Sequence, residues 1–78
     1  PAASKLAPEV AAKATSGAIV EVRVYLRDVS AATLKKLADA GFTLIAQPGG
    51  AKLVVGKIAG TSLAKLAALS EVTLIAPR

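Results

Sequence analysis

The chain has 78 residues, 54% of them hydrophobic and only 3% aromatic, with ten basic residues against five acidic ones. This length allows one domain with a small core, and that core must be aliphatic because Tyr25 and Phe42 are the only rings. No apolar run approaches the roughly 20 residues that span a bilayer, and His and Cys are absent, so we expect a soluble non-enzyme without metal or cofactor.

The first 17 residues predict a helical segment or linker, and residues 18–78 predict the main domain. Ser4 is a candidate N-cap for a short helix within residues 5–15, and Pro8 fits only its first turn. The chain contains no Met and begins with Pro, so we expect it to be excised from a larger precursor.

The stretch "AIVEVRVYLR" alternates apolar and polar residues with the period of a strand. Its β-branched residues strengthen that prediction. One face carries Val20, Val22, Val24 and Leu26, and the other carries Glu21, Arg23, Tyr25 and Arg27.

The next segment, "DVSAATLKKLADAG", predicts a helix with both ends marked. Ser30 is the candidate N-cap, Gly41 suits the left-handed position after the last turn, and Leu34, Leu37 and Ala38 form one apolar stripe. "FTLIAQ" and "AKLVVGKIA" then predict two strands joined as a hairpin by the turn signal "PGG".

The last third of the chain predicts a second helix and a fourth strand. Gly60, Thr61 or Ser62 can cap the helix "SLAKLAALS", whose buried side would carry leucines, and "EVTLIAP" is the closing strand. Gly56 predicts a bulge or a close helix approach. The leucines are Leu63, Leu66 and Leu69.

The tetrapeptide Thr-Leu-Ile-Ala occurs twice, at 43–46 and 73–76, each time behind a Leu-bearing helix. This order predicts an α+β, ferredoxin-like β-α-β-β-α-β sandwich of two equivalent halves, with a four-stranded antiparallel sheet, two helices on one face and a short N-terminal helix. The other sheet face stays open unless a partner or that helix covers it. Consecutive apolar residues in "LVV" and "LIA" place hydrophobic groups there, which is typical of an interface.

Two function classes find little support in these residues. The five carboxylates lie on different predicted elements, so no acid/base pair is indicated. Arg23, Tyr25 and Arg27 on an open sheet are compatible with RNA binding, but one ring does not make a stacking platform, so nucleic acid is not the expected partner.

From "SGAIVEVRVYLRDVS" to the tail "GKIAGTSLAKLAALSEVTLIAP", the chain resembles the propeptide or inhibitor domains that precede subtilisin-like serine proteases. The resemblance implies a secreted or exported precursor in which this domain is an intramolecular chaperone and temporary inhibitor of the protease. It implies that the open sheet face and the C-terminal tail bind the enzyme. The implied partner-binding residues are Arg23, Tyr25, Leu53 and Val55 on the sheet and Ala76, Pro77 and Arg78 in the tail.

Other interpretations stay open at this stage. A ferredoxin-like structural or regulatory module, with or without dimerisation through its sheet, has the same pattern of elements. The alanine-rich, Met-free and Cys-free composition also suits a designed scaffold. The basic net charge of +5 and the short tail depart from the propeptide pattern.

Overall fold

The computed structural model describes residues 5–78. Within this range the chain forms an α+β domain with a four-stranded antiparallel sheet and helices. The candidate N-cap Ser4 lies outside the described residues. The first helix has Ala7 at its N-cap position, where no side chain makes a capping hydrogen bond, and Pro8 lies in its first turn as predicted. The elements in chain order are α1 (Pro8–Ala11), β1 (Ile19–Leu26), α2 (Ala31–Asp39), β2 (Thr43–Ala46), β3 (Leu53–Ala59), α3 (Leu63–Ala67) and β4 (Val72–Pro77).

The strand order across the sheet is β2-β3-β1-β4, so β1 and β3 are central and β2 and β4 are the edges. The predicted hairpin of β2 and β3 is confirmed by their antiparallel pairing. β1 pairs antiparallel with both β3 and β4. These pairings fix which residues share a face, because partners in neighbouring strands point the same way.

The core lies between one face of the sheet and the helices, and the alternation in β1 explains its composition. Val22 and Val24 are fully buried and Leu26 is nearly so, whereas Glu21 and Arg23 are exposed. Phe42 is the only ring in the buried core of the described chain, and it is 5% exposed. The largest buried side chains are Leu37, Ile58, Leu63, Leu66 and Ile75.

Helix α2 has the predicted caps. The hydroxyl of Ser30 accepts a hydrogen bond from the backbone N–H of Thr33, and Gly41 follows the helix with φ of 100°. The stripe prediction was wrong at Ala38, which is exposed, while Thr33 is buried. The Thr33 hydroxyl is satisfied because it donates to Asp28 at 2.8 Å.

The second predicted helix is shorter than its sequence pattern indicated. Gly60–Ser62 form a 3-10 turn, and α3 follows over only five residues. Ser62 occupies the N-cap position without a side-chain hydrogen bond. Leu63 and Leu66 are buried as predicted, and Leu69 is half-buried beyond the helix end.

The two Thr-Leu-Ile-Ala strands present opposite residues to the helices, so the prediction of two equivalent halves was wrong in this respect. Leu44 pairs with Gly56 on the helix side, whereas in β4 it is Ile75, paired with Val24, that faces the core. Leu74 therefore lies on the other face. A register irregularity at Ile45 follows Leu44, and edge strands tolerate such bulges.

The segment before β1 packs into the same core as the sheet. Leu6 forms a parallel bridge with Ile75, and the Ala7 N–H donates to the Ile75 carbonyl at 2.9 Å. Val10 is 1% exposed. This segment therefore covers part of the β4 edge and one end of the core.

None of the described helices has the length and hydropathy that a membrane span requires.

Candidate functional site: the open face of the sheet

The face of the sheet that points away from the core is here called the open face. Its members are defined by the strand register, and each is exposed or half-buried. Its residues in β1, β3 and β4 are Ile19, Glu21, Arg23, Tyr25, Leu53, Val55, Lys57, Ala59, Leu74 and Ala76.

An apolar patch occupies one end of the open face. Tyr25 lies between Leu53 on β3 and Leu74 on β4, and Val55 lies one step along β3. Leu74 is 38% exposed, and the other three are half-buried. Leu53 and Leu74 pair directly with Tyr25, and Val55 is its diagonal neighbour, so these side chains present one continuous surface.

A basic cluster occupies the other end of the open face. Arg23 lies between Val55 and Ala76 in the register, and Lys57 lies opposite Glu21. Arg78 forms an ion pair with Glu21 at 2.8 Å, so three cations share this end with one carboxylate. Both side chains of that pair are about half exposed, and such pairs contribute little stability.

Five of the seven predicted partner-binding residues come together on this surface. Arg23, Tyr25, Leu53, Val55 and Ala76 are neighbours across three strands. Leu74 was not among the predicted partner-binding residues, although its place next to Ile75 in "VTLIAP" puts the two side chains on opposite faces of a strand and so offered a signal.

The other two predicted residues lie at the end of β4. Pro77 pairs with Val22 and belongs to the helix side of the ladder, and its carbonyl accepts a hydrogen bond from Arg23 Nε at 3.2 Å. Of the predicted tail residues, only Arg78 lies beyond the strand. Ala76 and Pro77 are therefore sheet residues in this structure rather than a free tail.

A bulge in β4 sets the boundary of the apolar patch. Val72 pairs with Leu26 and Leu74 with Tyr25, so Thr73 is the extra residue between them. The Thr73 hydroxyl donates to the Tyr25 carbonyl at 3.1 Å. The bulge lets Val72 remain in the core while Leu74 stays on the open face.

The carboxylates with shifted pKa values lie away from the open face. Hydrogen bonds from Ser30 and Thr33 lower the pKa of Asp28. The hydrogen bond and charge of Lys36 lower the pKa of Glu71, and Glu71 in turn raises the pKa of Lys36. The hydrogen bonds of Asp28 stabilise the start of α2, and the Lys36–Glu71 ion pair joins α2 to the turn before β4.

The arrangement at the open face offers apolar area and positive charge for binding a surface. Among residues 5–78, no group of His, Cys, Asp or Glu is placed to hold a metal ion. Comparison of the chain with protein-family models, with curated proteins and with solved structures gave no match.

Proposed function

We propose that this chain is a non-catalytic, propeptide-like domain that binds a subtilisin-like serine protease, as intramolecular chaperone and temporary inhibitor. We assign it a ferredoxin-like fold. The strand order β2-β3-β1-β4 supports that assignment, because two β-α-β units joined by a hairpin place the first and third strands at the centre.

The observation that carries the proposal is the apolar patch of Tyr25, Leu53, Val55 and Leu74, which residues 5–78 leave uncovered on the sheet. Burying apolar surface is worth about 25 cal/mol per Å², and stable interfaces bury about 800 Å² on each partner. A surface that is held by backbone hydrogen bonds loses little conformational freedom on docking, so more of that free energy appears as affinity.

The end of β4 supports the second part of the proposal, the inhibitory tail. Arg78 leaves the sheet at the basic end of the open face, where its side chain pairs with Glu21. A protease docked on the open face would therefore lie close to the segment that starts at Arg78. An extended segment binds a substrate groove through backbone hydrogen bonds, as a product-like inhibitor does.

An inhibition assay tests this function. The domain, and a version extended beyond Arg78 by its native continuation, are added at micromolar concentration to a subtilisin that hydrolyses a chromogenic peptide. We expect both to inhibit, and the extended version to inhibit more tightly. Refolding of acid-denatured protease in the presence of the domain measures the chaperone activity, which we expect to raise the yield of active enzyme. Absence of inhibition by the extended version would overturn the proposal.

The same apolar patch favours a second candidate, a structural or regulatory module that pairs with another copy through the open face. The basic cluster opposes this, because it brings cations of both copies together. Sedimentation at 20 to 200 mM salt separates the candidates: a dimer that is lost on Leu74→Asp substitution, without any protease inhibition, supports the module.

A further inference from the structure

The two edges of the sheet differ in how they are protected. At β4 the chain itself covers the edge, through the Leu6–Ile75 bridge and the hydrogen bond from Ala7. At β2, no described residue pairs with the outer side of the strand. Natural edge strands usually carry a charged residue such as Lys, or a Pro, that prevents pairing with another chain. The β2 sequence "TLIA" contains no charged residue and no Pro.

A groove of about 390 Å³ lies beside this unpaired edge, on the helix side of the sheet. Leu44, which is 46% exposed, joins the groove to β2, and Leu34 and Phe42 form its inner wall. Its remaining lining is Ala31, Lys35, Leu37 and Ala38 of α2. An apolar groove along an unpaired strand edge has the features that bind an extended chain: backbone groups to pair, and a pocket for alternate side chains.

Charge indicates the kind of chain that fits. Lys35 is the only ionisable residue that lines the groove, and within residues 5–78 it takes no part in an ion pair. The whole chain carries a formal net charge of +5. A second copy would bring like charges together at this edge, whereas an acidic segment would bring opposite charges together.

We propose that the outer edge of β2 and its groove form a second binding site, for an extended peptide segment that carries an apolar and an acidic residue two positions apart, so that both lie on the same face of the added strand. The segment adds to β2 as a fifth strand, an apolar side chain enters the groove beside Leu44, and a carboxylate pairs with Lys35. This site lies on the opposite side of the sheet from the open face and does not depend on the function proposed for that face.

The test uses a blocked eight-residue peptide, Thr-Val-Thr-Glu-Thr-Val-Thr-Glu, whose valine and glutamate side chains share one face of an extended strand. It is titrated into the ¹⁵N-labelled domain and followed by NMR. We expect saturable shifts confined to β2, the facing part of α2 and the adjoining residues of β3. The matched peptide with lysine in place of each glutamate is expected to bind more weakly. Shifts centred on the open-face residues of β1 and β4, equal binding of both peptides, or no shifts at millimolar peptide would overturn the proposal.

Three variants make the test specific. Lys35→Glu is expected to weaken binding of the acidic peptide about two- to fivefold, which is the range for loss of an exposed ion pair. Lys65→Glu changes the net charge by the same amount, but on α3, and is expected to leave peptide binding unchanged. An equal loss of binding in both variants would contradict the site.

Leu44→Asp is expected to abolish peptide binding while leaving protease inhibition intact. A dimer of the free domain that Leu44→Asp dissociates would instead assign the edge to a second copy and overturn the proposed occupant.

Discussion

The ring of Phe42 packs directly on Gly56, across the pair of strands β2 and β3. A Cβ built on Gly56 would lie 2.8 Å from Phe42 Cε2 and would also meet the Thr43 carbonyl oxygen. The sequence predicted a bulge or a close helix approach at Gly56. The helix approach was wrong, because the close neighbours are a ring and the backbone of the edge strand. The strand register does shift beside Gly56, between its partner Leu44 and Ala46. The absence of a side chain at Gly56 leaves room for the Phe42 ring against the sheet.

Gly56→Ala is expected to destabilise the domain by about 1–3 kcal/mol, because an extra methyl group in a packed core forces its neighbours apart. Urea unfolding followed by circular dichroism measures this. Gly17→Ala is the matched control, since a Cβ at Gly17 would meet nothing within 4 Å. A loss for Gly56→Ala no larger than that for Gly17→Ala would contradict this packing.

Acid is expected to destabilise the domain through Asp28 and Glu71. The pKa values of both carboxyls are lowered by folding, so their contribution to stability is present above their unfolded pKa values and is lost as pH falls through the folded ones. We therefore expect the free energy of unfolding to fall below about pH 4, near the ordinary carboxyl pKa values. Asp28→Asn keeps an acceptor for Thr33 but does not titrate, so it is expected to reduce the pH dependence in urea unfolding measured from pH 6 to pH 2. An unchanged slope would show that Asp28 does not contribute.

Val10→Ala is expected to lower the free energy of unfolding by about 1–3 kcal/mol, because it leaves a cavity in the core that α1 shares with the sheet. Ile19→Ala is the matched control: it removes a larger group, but Ile19 is 63% exposed, so we expect a change of about 0.5 kcal/mol or less. Urea unfolding of both variants compares them. Equal costs would show that the segment before β1 does not pack in solution as described.

Loss of the α2 N-cap gives a further prediction. Ser30→Ala removes the acceptor for the Thr33 N–H and is expected to lower stability by about 1 kcal/mol. Thermal unfolding at pH 7 measures the change. Ser70→Ala is the control, because the exposed Ser70 hydroxyl makes a hydrogen bond only to the neighbouring Glu71 among the described residues. A larger loss for Ser70→Ala would argue against the cap.

Local patterns were enough to predict most elements, because period-two alternation in β1 and the caps of α2 are encoded by adjacent residues. Three features depend on contacts that are distant in the chain. The packing of Phe42 on Gly56 requires the β2–β3 register, the bridge from Leu6 requires the position of β4, and the inward residue of each Thr-Leu-Ile-Ala copy depends on bulges. A pattern of four letters does not determine which of its members faces the helices.

The candidate site was predictable to a similar extent. Alternation in β1 placed Arg23 and Tyr25 on the face opposite the core. Leu53 and Val55 were implied by the resemblance to propeptide domains, and the β1–β3 register places them beside Arg23 and Tyr25. The tail was harder to predict, because whether Pro77 ends a strand or continues as a free segment depends on pairing with Val22. The β2 groove could not be anticipated, since it forms between α2 and an edge strand whose relative positions local pattern does not determine.

The most direct test of the open face compares Leu74→Asp with Leu44→Asp in the subtilisin inhibition assay. The two leucines have similar exposure, 38% and 46%, and occupy matching positions of the Thr-Leu-Ile-Ala repeat, but they lie on opposite faces of the sheet. If the open face binds the protease, Leu74→Asp raises the inhibition constant by about tenfold or more, which corresponds to about 1.4 kcal/mol, and Leu44→Asp leaves it unchanged. Equal inhibition by both variants, with circular dichroism showing that both are folded, would contradict the assignment of the open face as the protease-binding surface.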